Sequence, residues 1–139
     1  MPITNYGASM IVKSVIGKSV SSPATLYIAL MTAGANTTST GVSLNEPTGG
    51  SYARIGVSNA STEWTFDGYN LMYNTNDVTF ATATGYWGRI GYWAVCDAAT
   101  AGNVIAFGTL NPVANIVSGD RTKLLAGSIS FSVFDPSVK

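Results

Sequence analysis

Tyr86–Leu110 reads YWGRIGYWAVCDAATAGNVIAFGTL, and this stretch decides the fold. Its first ten residues are rich in aromatic and β-branched side chains, interrupted only by Gly88 and Gly91. The turn-forming cluster from Asp97 to Asn103 follows, and then a second apolar run, Val104 to Leu110. Two apolar runs around a turn cluster form a β-hairpin. Alternation along the first strand sets Tyr86, Ile90, Tyr92 and Ala94 on one face and Trp87, Arg89, Trp93 and Val95 on the other. Neither face is polar, so both should be covered. A hairpin alone is not stable in water, and the remaining strands must be laid against this one.

Upstream, TLYIALMT (Thr25–Thr32) is apolar on both faces and reads as an interior strand. SYARIGV (Ser51–Val57) is expected to be a strand with Ala53, Ile55 and Val57 inward. Thr62–Phe66 should be another, presenting Trp64 and Phe66 together. Asp67–Asn74 reads as a loop with Tyr69 and Tyr73 exposed. Asn76–Phe80 is a strand with Val78 and Phe80 facing the core. Downstream, Pro112 breaks the strand pattern, Val113–Val117 is a weak edge candidate and Ser118–Asp120 is a turn. The alternation of Ile129, Phe131 and Val133 with Ser128, Ser130 and Ser132 marks a final antiparallel strand, buried on one face.

Two segments stand outside this pattern. Ala8, Ile11, Val12, Val15 and Ile16 have helical spacing, predicting a short helix over about 6–17. Asn5 is its expected cap, with Gly17 and Lys18 at its end. Such a helix either plugs one end of the sheets or docks on a partner subunit, in which case Ile11, Val12 and Val15 are the surface. Ala33–Gly50 is a long Gly, Thr, Asn and Ser segment; at this length a loop is flexible, functional or ordered by a neighbour. The whole predicts one all-β domain over residues 1–139, an antiparallel β-sandwich of about seven or eight strands with one N-terminal helix.

Composition bears on function. Charged residues are 10% of the 139 and cancel to zero, while hydrophobic residues are 46%. Charge so sparse and so balanced favours association, so copies of the chain itself are the expected partners. Lys13, Lys18, Arg54, Arg89, Arg121, Lys123 and Lys139 are scattered, which argues against nucleic acid. The longest uninterrupted apolar run, Leu26–Met31, is too short to span a bilayer, and the N-terminus has no signal-peptide pattern. The expectation is synthesis in a cytoplasm without export or membrane insertion, which makes the sequons at Asn36 and Asn59 chance matches.

Chemistry-bearing patterns are sparse. The chain has no histidine, which removes the commonest general base and metal ligand. Cys96, the one cysteine, lies in an apolar strand and is expected to be a buried thiol. A paired-carboxylate hydrolase would draw on Glu46, Glu63, Asp67, Asp77, Asp97, Asp120 and Asp135, but nearly all fall in predicted turns, where Asp bonds its own backbone. Asn74, Asn76 and Asp77 offer oxygen ligands at a generic density. The reading is therefore no enzyme, no catalytic residues, no metal and no cofactor. Trp64, Trp87, Trp93, Tyr69, Tyr73 and Tyr86 would make either a sugar-stacking platform or core and subunit interface.

ATLYIALMTA (Ala24–Ala33), EPTGGSYARIGV (Glu46–Val57), Asn74–Leu110 and VSGDRTKLLAGSISFSVFD (Val117–Asp135) together resemble a family of small bacteriophage virion proteins, commonly labelled tail fibre proteins. Its members run a short helix, an LYVALFT-like strand, a GGxYAR segment, a VTFPxAT segment, a GIYDAATGGNLL hairpin and a final alternating strand. Ala81 stands where the family often has proline, and Thr62–Asn74 is richer in aromatics. The resemblance implies a non-enzymatic virion component on the particle exterior, a homo-oligomer (a trimer is one such state) beside other virion proteins. Tail fibre is the first reading, capsid decoration protein the alternative, and a glycan-binding tail-tip module the third.

Overall fold

The computed structural model describes residues 3–132. It is all-β with one N-terminal helix. Helix α1 (Asn5–Val15) precedes nine strands among the described residues: β1 (Thr25–Met31), β2 (Ile55–Ser58), β3 (Trp64–Phe66), β4 (Leu71–Asn74), β5 (Val78–Thr82), β6 (Gly88–Cys96), β7 (Val104–Ile116), β8 (Arg121–Leu124) and β9 (Ser130–Ser132). They form three antiparallel sheets, ordered β2-β1-β6-β7, β3-β4-β9 and β5-β8.

One core joins all three sheets. Ile28 and Leu30 of β1, Ile90, Trp93 and Val95 of β6, and Ala106 and Ile116 of β7 meet Val78, Phe80, Leu124 and Phe131 from the two smaller sheets and Ile129 just before β9. A second cluster lies on the opposite face of β1 and β6: Ala29, Met31, Ala94, Cys96 and Val104, covered by Ala35 and Leu44. The central hairpin is therefore covered on both faces, as its lack of a polar side predicts. Its outer cover is part of the 33–50 segment.

Strict alternation fails inside β6. Ile90 faces the same core as Trp93 and Val95, not the side of Tyr92 and Ala94. The β6–β7 register breaks between Ile90 and Tyr92, where two steps along β6 face the five from Ala114 to Thr109 along β7, and the face that β6 presents to the core changes across this irregularity. Tyr86, placed with Ile90 by periodicity, is exposed.

Other boundaries also move. Thr4, not Asn5, caps α1: its side chain accepts the Gly7 N–H at 3.0 Å and it is itself buried. The helix ends as expected at Gly17 (φ 72°), with Lys18 N–H bonding Lys13 O and Gly17 N–H bonding Ser14 O, a Schellman closure. Leu71–Asn74 is a strand rather than a loop, which leaves Tyr73 half-buried opposite Ser130. β7 runs through Pro112, because β7 is an edge strand and Pro112 falls in its unpaired stretch between Thr109 and Ala114, where a missing N–H breaks no ladder. Ser51–Arg54 is not strand: Ala53 is exposed while Arg54 is buried. Phe66, expected beside Trp64, is exposed. Ile129 and Phe131 are buried as alternation requires; Val133 lies outside the described residues.

Candidate functional site

Arg54 is the centre of the most developed polar constellation. Its side chain is 3% exposed, and all five guanidinium N–H donors are engaged. Nε and Nη2 bond the two Glu46 carboxylate oxygens at 3.0 and 2.7 Å; Nη1 donates to Ala98 O and Ala101 O at 2.9 Å each; Nη2 also donates to Gly41 O at 3.0 Å. Tyr52 Oη donates to Glu46 Oε1 at 2.7 Å and accepts the Leu30 N–H at 2.9 Å. The hydrogen bonds it donates to Glu46 hold the Arg54 guanidinium above its ordinary pKa despite burial, and burial beside the Glu46 charge pushes the Tyr52 phenol up.

The geometry makes this a clamp. The positive φ of Gly50 (59°) and Ser51 (63°) turns the chain, and Tyr52 and Arg54 point back towards Glu46. One side chain thereby ties the 41–46 segment to the 98–101 turn of the central hairpin. Further bonds run along the same segment: Asn5 N–H to Thr37 O at 2.8 Å, Gly41 N–H to Gly102 O at 2.9 Å and Thr32 N–H to Asn45 O at 2.9 Å. The long loop is thus ordered by its own chain, which is why it serves as a layer over Met31 and Ala94. A cavity of about 440 Å³ opens beside it, lined by Val42, Leu44, Pro47, Tyr52 and Thr100 among others.

The other acids stand in turns. Asp67 Oδ1 accepts the backbone N–H groups of Tyr69, Asn70 and Leu71, which hold its carboxyl below the usual range. Asp97 binds Asn103 through backbone and side chain and accepts from Tyr6 Oη at 3.2 Å. Burial raises the Asp97 pKa, but these bonds outweigh it and hold it low. Asp120 accepts the Val117 N–H at 2.9 Å. Asp77 accepts the Ala126 N–H and stands 3.5 Å from Lys123. Glu63 accepts from Asn76 Nδ2 at 3.1 Å. Glu63 and Asp77 line one hollow of about 220 Å³ together with Asn74 and Asn76; Asp135 lies outside the described residues. Asn74 is fully buried and pins β4 to the following turn, bonding Leu125 O, Asn76 O and the Ile129 N–H.

The six aromatics do not share a surface. Trp87 and Trp93 belong to the core, with Trp87 Nε1 donating to Gly50 O at 2.7 Å. Trp64 packs edge-on to Phe131 at 6.1 Å. Tyr86 bonds Asn115 at the surface, and Tyr69, at the β3–β4 turn, is 88% exposed. Cys96 is buried, and its thiol is pushed up to about 12 by desolvation.

The predicted helix face is in the open: Ile11 is 40%, Val12 58%, Val15 80% and Ile16 62% exposed. Gly7 is the buried residue of α1, set against the Ile105 carbonyl of β7. Sequence reading found this stripe but missed Arg54, although the Glu46…Tyr52-x-Arg54 spacing around two glycines was its visible signal. Among the described residues no helix is long and apolar enough to cross a membrane.

The Gly-Gly-x-Tyr-Ala-Arg segment that builds the clamp is one of the blocks carrying the family resemblance. A family profile described as Podophage GP4 fiber I protein gp80 matches residues 2–132. No curated protein matches the chain.

Proposed function

The chain belongs to the Gp80 family of podophage fibre proteins, and on that footing we propose that it is a self-associating structural subunit carried on the outside of the virion as part of a tail fibre. Membership makes it a structural component of a phage particle. The match across nearly the whole described chain is the observation that carries the finer reading. The way its polar chemistry is spent agrees with it. Arg54, Glu46, Tyr52 and Asp97 hold loops against the sheet, and a rigid subunit for repeated packing needs that more than it needs a cleft. On this reading the protein has no catalytic role.

Copy number in purified virions, by quantitative mass spectrometry against the major capsid protein, tests the assignment. A tail fibre component is present in a small multiple of the tail symmetry, and deleting its gene abolishes adsorption. Hundreds of copies per particle, with shells that fail mechanically on deletion, would make it a capsid decoration protein instead. The sugar-binding reading loses its platform with Trp87 and Trp93 in the core and retains Tyr69 as an exposed ring; a glycan array on the purified protein tests it.

A further inference from the structure

The register break between β6 and β7 opens a hollow of about 290 Å³. Leu110 and Val113, which belong to the surplus residues of β7, line it. Gly91 of β6 lines it without a side chain; it is buried, and a Cβ there would stand 3.3 Å from Val113 Cγ2. Alternation assigns Arg89 and Tyr92 to opposite faces of β6. The change of face across the break brings both to this one hollow, beside Thr32 and Thr109.

Its polar groups are unspent. Among the described residues the Arg89 guanidinium, the Tyr92 phenol and the Thr109 hydroxyl have no hydrogen-bond or ion-pair partner. The Thr32 hydroxyl donates to Asn45 O at 3.2 Å and keeps its lone pairs. In three other hollows the charged side chains are already engaged: Glu63 and Asp77 in one, Glu46 and Arg54 in the second, Lys123 in the third. No acidic residue lines the Arg89 hollow among the described residues, so its one formal charge is positive and uncompensated. The backbone at Gly34 comes so close that a Cβ there would stand 3.2 Å from Tyr92 Cε1, which holds the ring in place.

We propose that this hollow binds one carboxylate-bearing residue of an acidic saccharide. The planar guanidinium fork of Arg89 takes both oxygens of a carboxylate at once. Tyr92, Leu110 and Val113 offer an aromatic ring and an apolar wall to the C–H face of a pyranose. The hydroxyls of Tyr92, Thr109 and Thr32 meet the ring hydroxyls. The volume sits at the lower limit of small-molecule sites, about 300 Å³, and suits one sugar residue rather than a longer stretch of chain. This site shares no residue with the aromatic platform of Trp64, Trp87, Trp93, Tyr69, Tyr73 and Tyr86, and it stands whether or not the chain self-associates.

Titration of the isotope-labelled protein with sodium glucuronate and with N-acetylneuraminate, followed by amide NMR shifts, tests it; glucose and inorganic phosphate are the controls. One acid sugar should shift the amides of residues 89–92 and 109–113 with a dissociation constant on the order of 1 mM, as ligand efficiency sets for a single sugar residue. Glucose should bind at least about 10-fold more weakly, and Arg89→Gln should weaken the acid sugar by a similar factor. Because Arg89 is exposed and without a partner among the described residues, that variant should melt with wild type. Tyr92→Phe, which keeps the ring, should cost about 2–10-fold in affinity. No shift with either acid up to about 20 mM, or full affinity in Arg89→Gln, overturns the site. Phosphate or glucose binding as tightly as the acid sugars overturns its assignment to an acidic saccharide. Each of these failures leaves the fibre reading standing, because copy number in the virion does not depend on this hollow.

Discussion

Replacing Arg54 by alanine is the sharpest test of the clamp. The substitution strips Glu46, whose side chain is 18% exposed, of its cationic partner and leaves Tyr52 as its remaining donor. It also removes the donors to Gly41 O, Ala98 O and Ala101 O. Breaking a buried pair from one side costs about 3–5 kcal/mol. Glu46 retains a path to water, so the lower end applies, about 3 kcal/mol. In a domain of this size that lowers the melting midpoint by roughly 10 °C, out of a total stability of about 5–15 kcal/mol. Arg54→Lys keeps the charge but not the planar fork and should recover less than half of the loss. The loss is also local, because the loop is a cover over the β1–β6 face. Hydrogen exchange should rise at 33–46 and at 98–103, while β5, β8 and β9 keep their protection until global unfolding. A midpoint lowered by less than about 2 °C, or exchange that rises evenly over the whole chain, would refute the clamp.

Three further outcomes follow from single contacts. Gly7→Ala should cost about 1–3 kcal/mol by overpacking and should release α1 first, read as helix-selective hydrogen exchange, because the added Cβ collides with Ile105 O. Asp97 has a folded pKa below its ordinary value of 3.8, so its contribution is complete above that value and is lost as pH falls through the folded pKa. The stability gap between wild type and Asp97→Asn, by urea titration, should therefore be widest near neutrality and close in acid below the ordinary carboxylate range; a gap that widens there contradicts the Asn103 and Tyr6 bonds. Cys96, pushed up to about 12 and buried, should not react with an aromatic disulfide reagent at mildly alkaline pH until denaturant is added.

What was legible in the sequence was whatever rests on local period. The Asp97–Asn103 turn, the interior run of β1, Val78 and Phe80, and the Ile129–Phe131 alternation all follow from patterns a few residues long. What was not legible depends on partners distant in the chain. β4 is a strand because Phe131 and Ser130 lie beside it, not because Leu-Met-Tyr-Asn alternates. β7 survives Pro112 because it is an edge strand and its register with β6 is broken at that point. The register break between Ile90 and Tyr92 comes with a change of face, and alternation along one strand has no means of anticipating surplus residues in its partner. Arg54 was concealed by the same logic: it sits at the position where a continuing strand would point outward, and only the turn at Gly50–Ser51 and the acid at Glu46 bring it in.

The helix shows the converse, a pattern read correctly whose meaning lay elsewhere. Period 3.6 identifies an apolar face but does not identify what that face meets. The plug reading required Ile11, Val12 and Val15 to be covered by the chain's own sheets, and their exposure removes it. The choice matters because an exposed stripe is a liability in a molecule with so few charges to keep copies apart. The Arg54–Glu46 ion pair lies inside, where it fixes a loop and adds little to solubility. Sparse surface charge and one overhanging apolar helix are what the proposed role as a virion subunit packed beside other proteins would use. If the proposed self-association uses this face, Lys substitutions along Ile11, Val12 and Val15 should raise the solubility of the isolated protein and weaken its association. Solubility and assembly rising together, measured by light scattering and sedimentation on the same preparations, would sever that link.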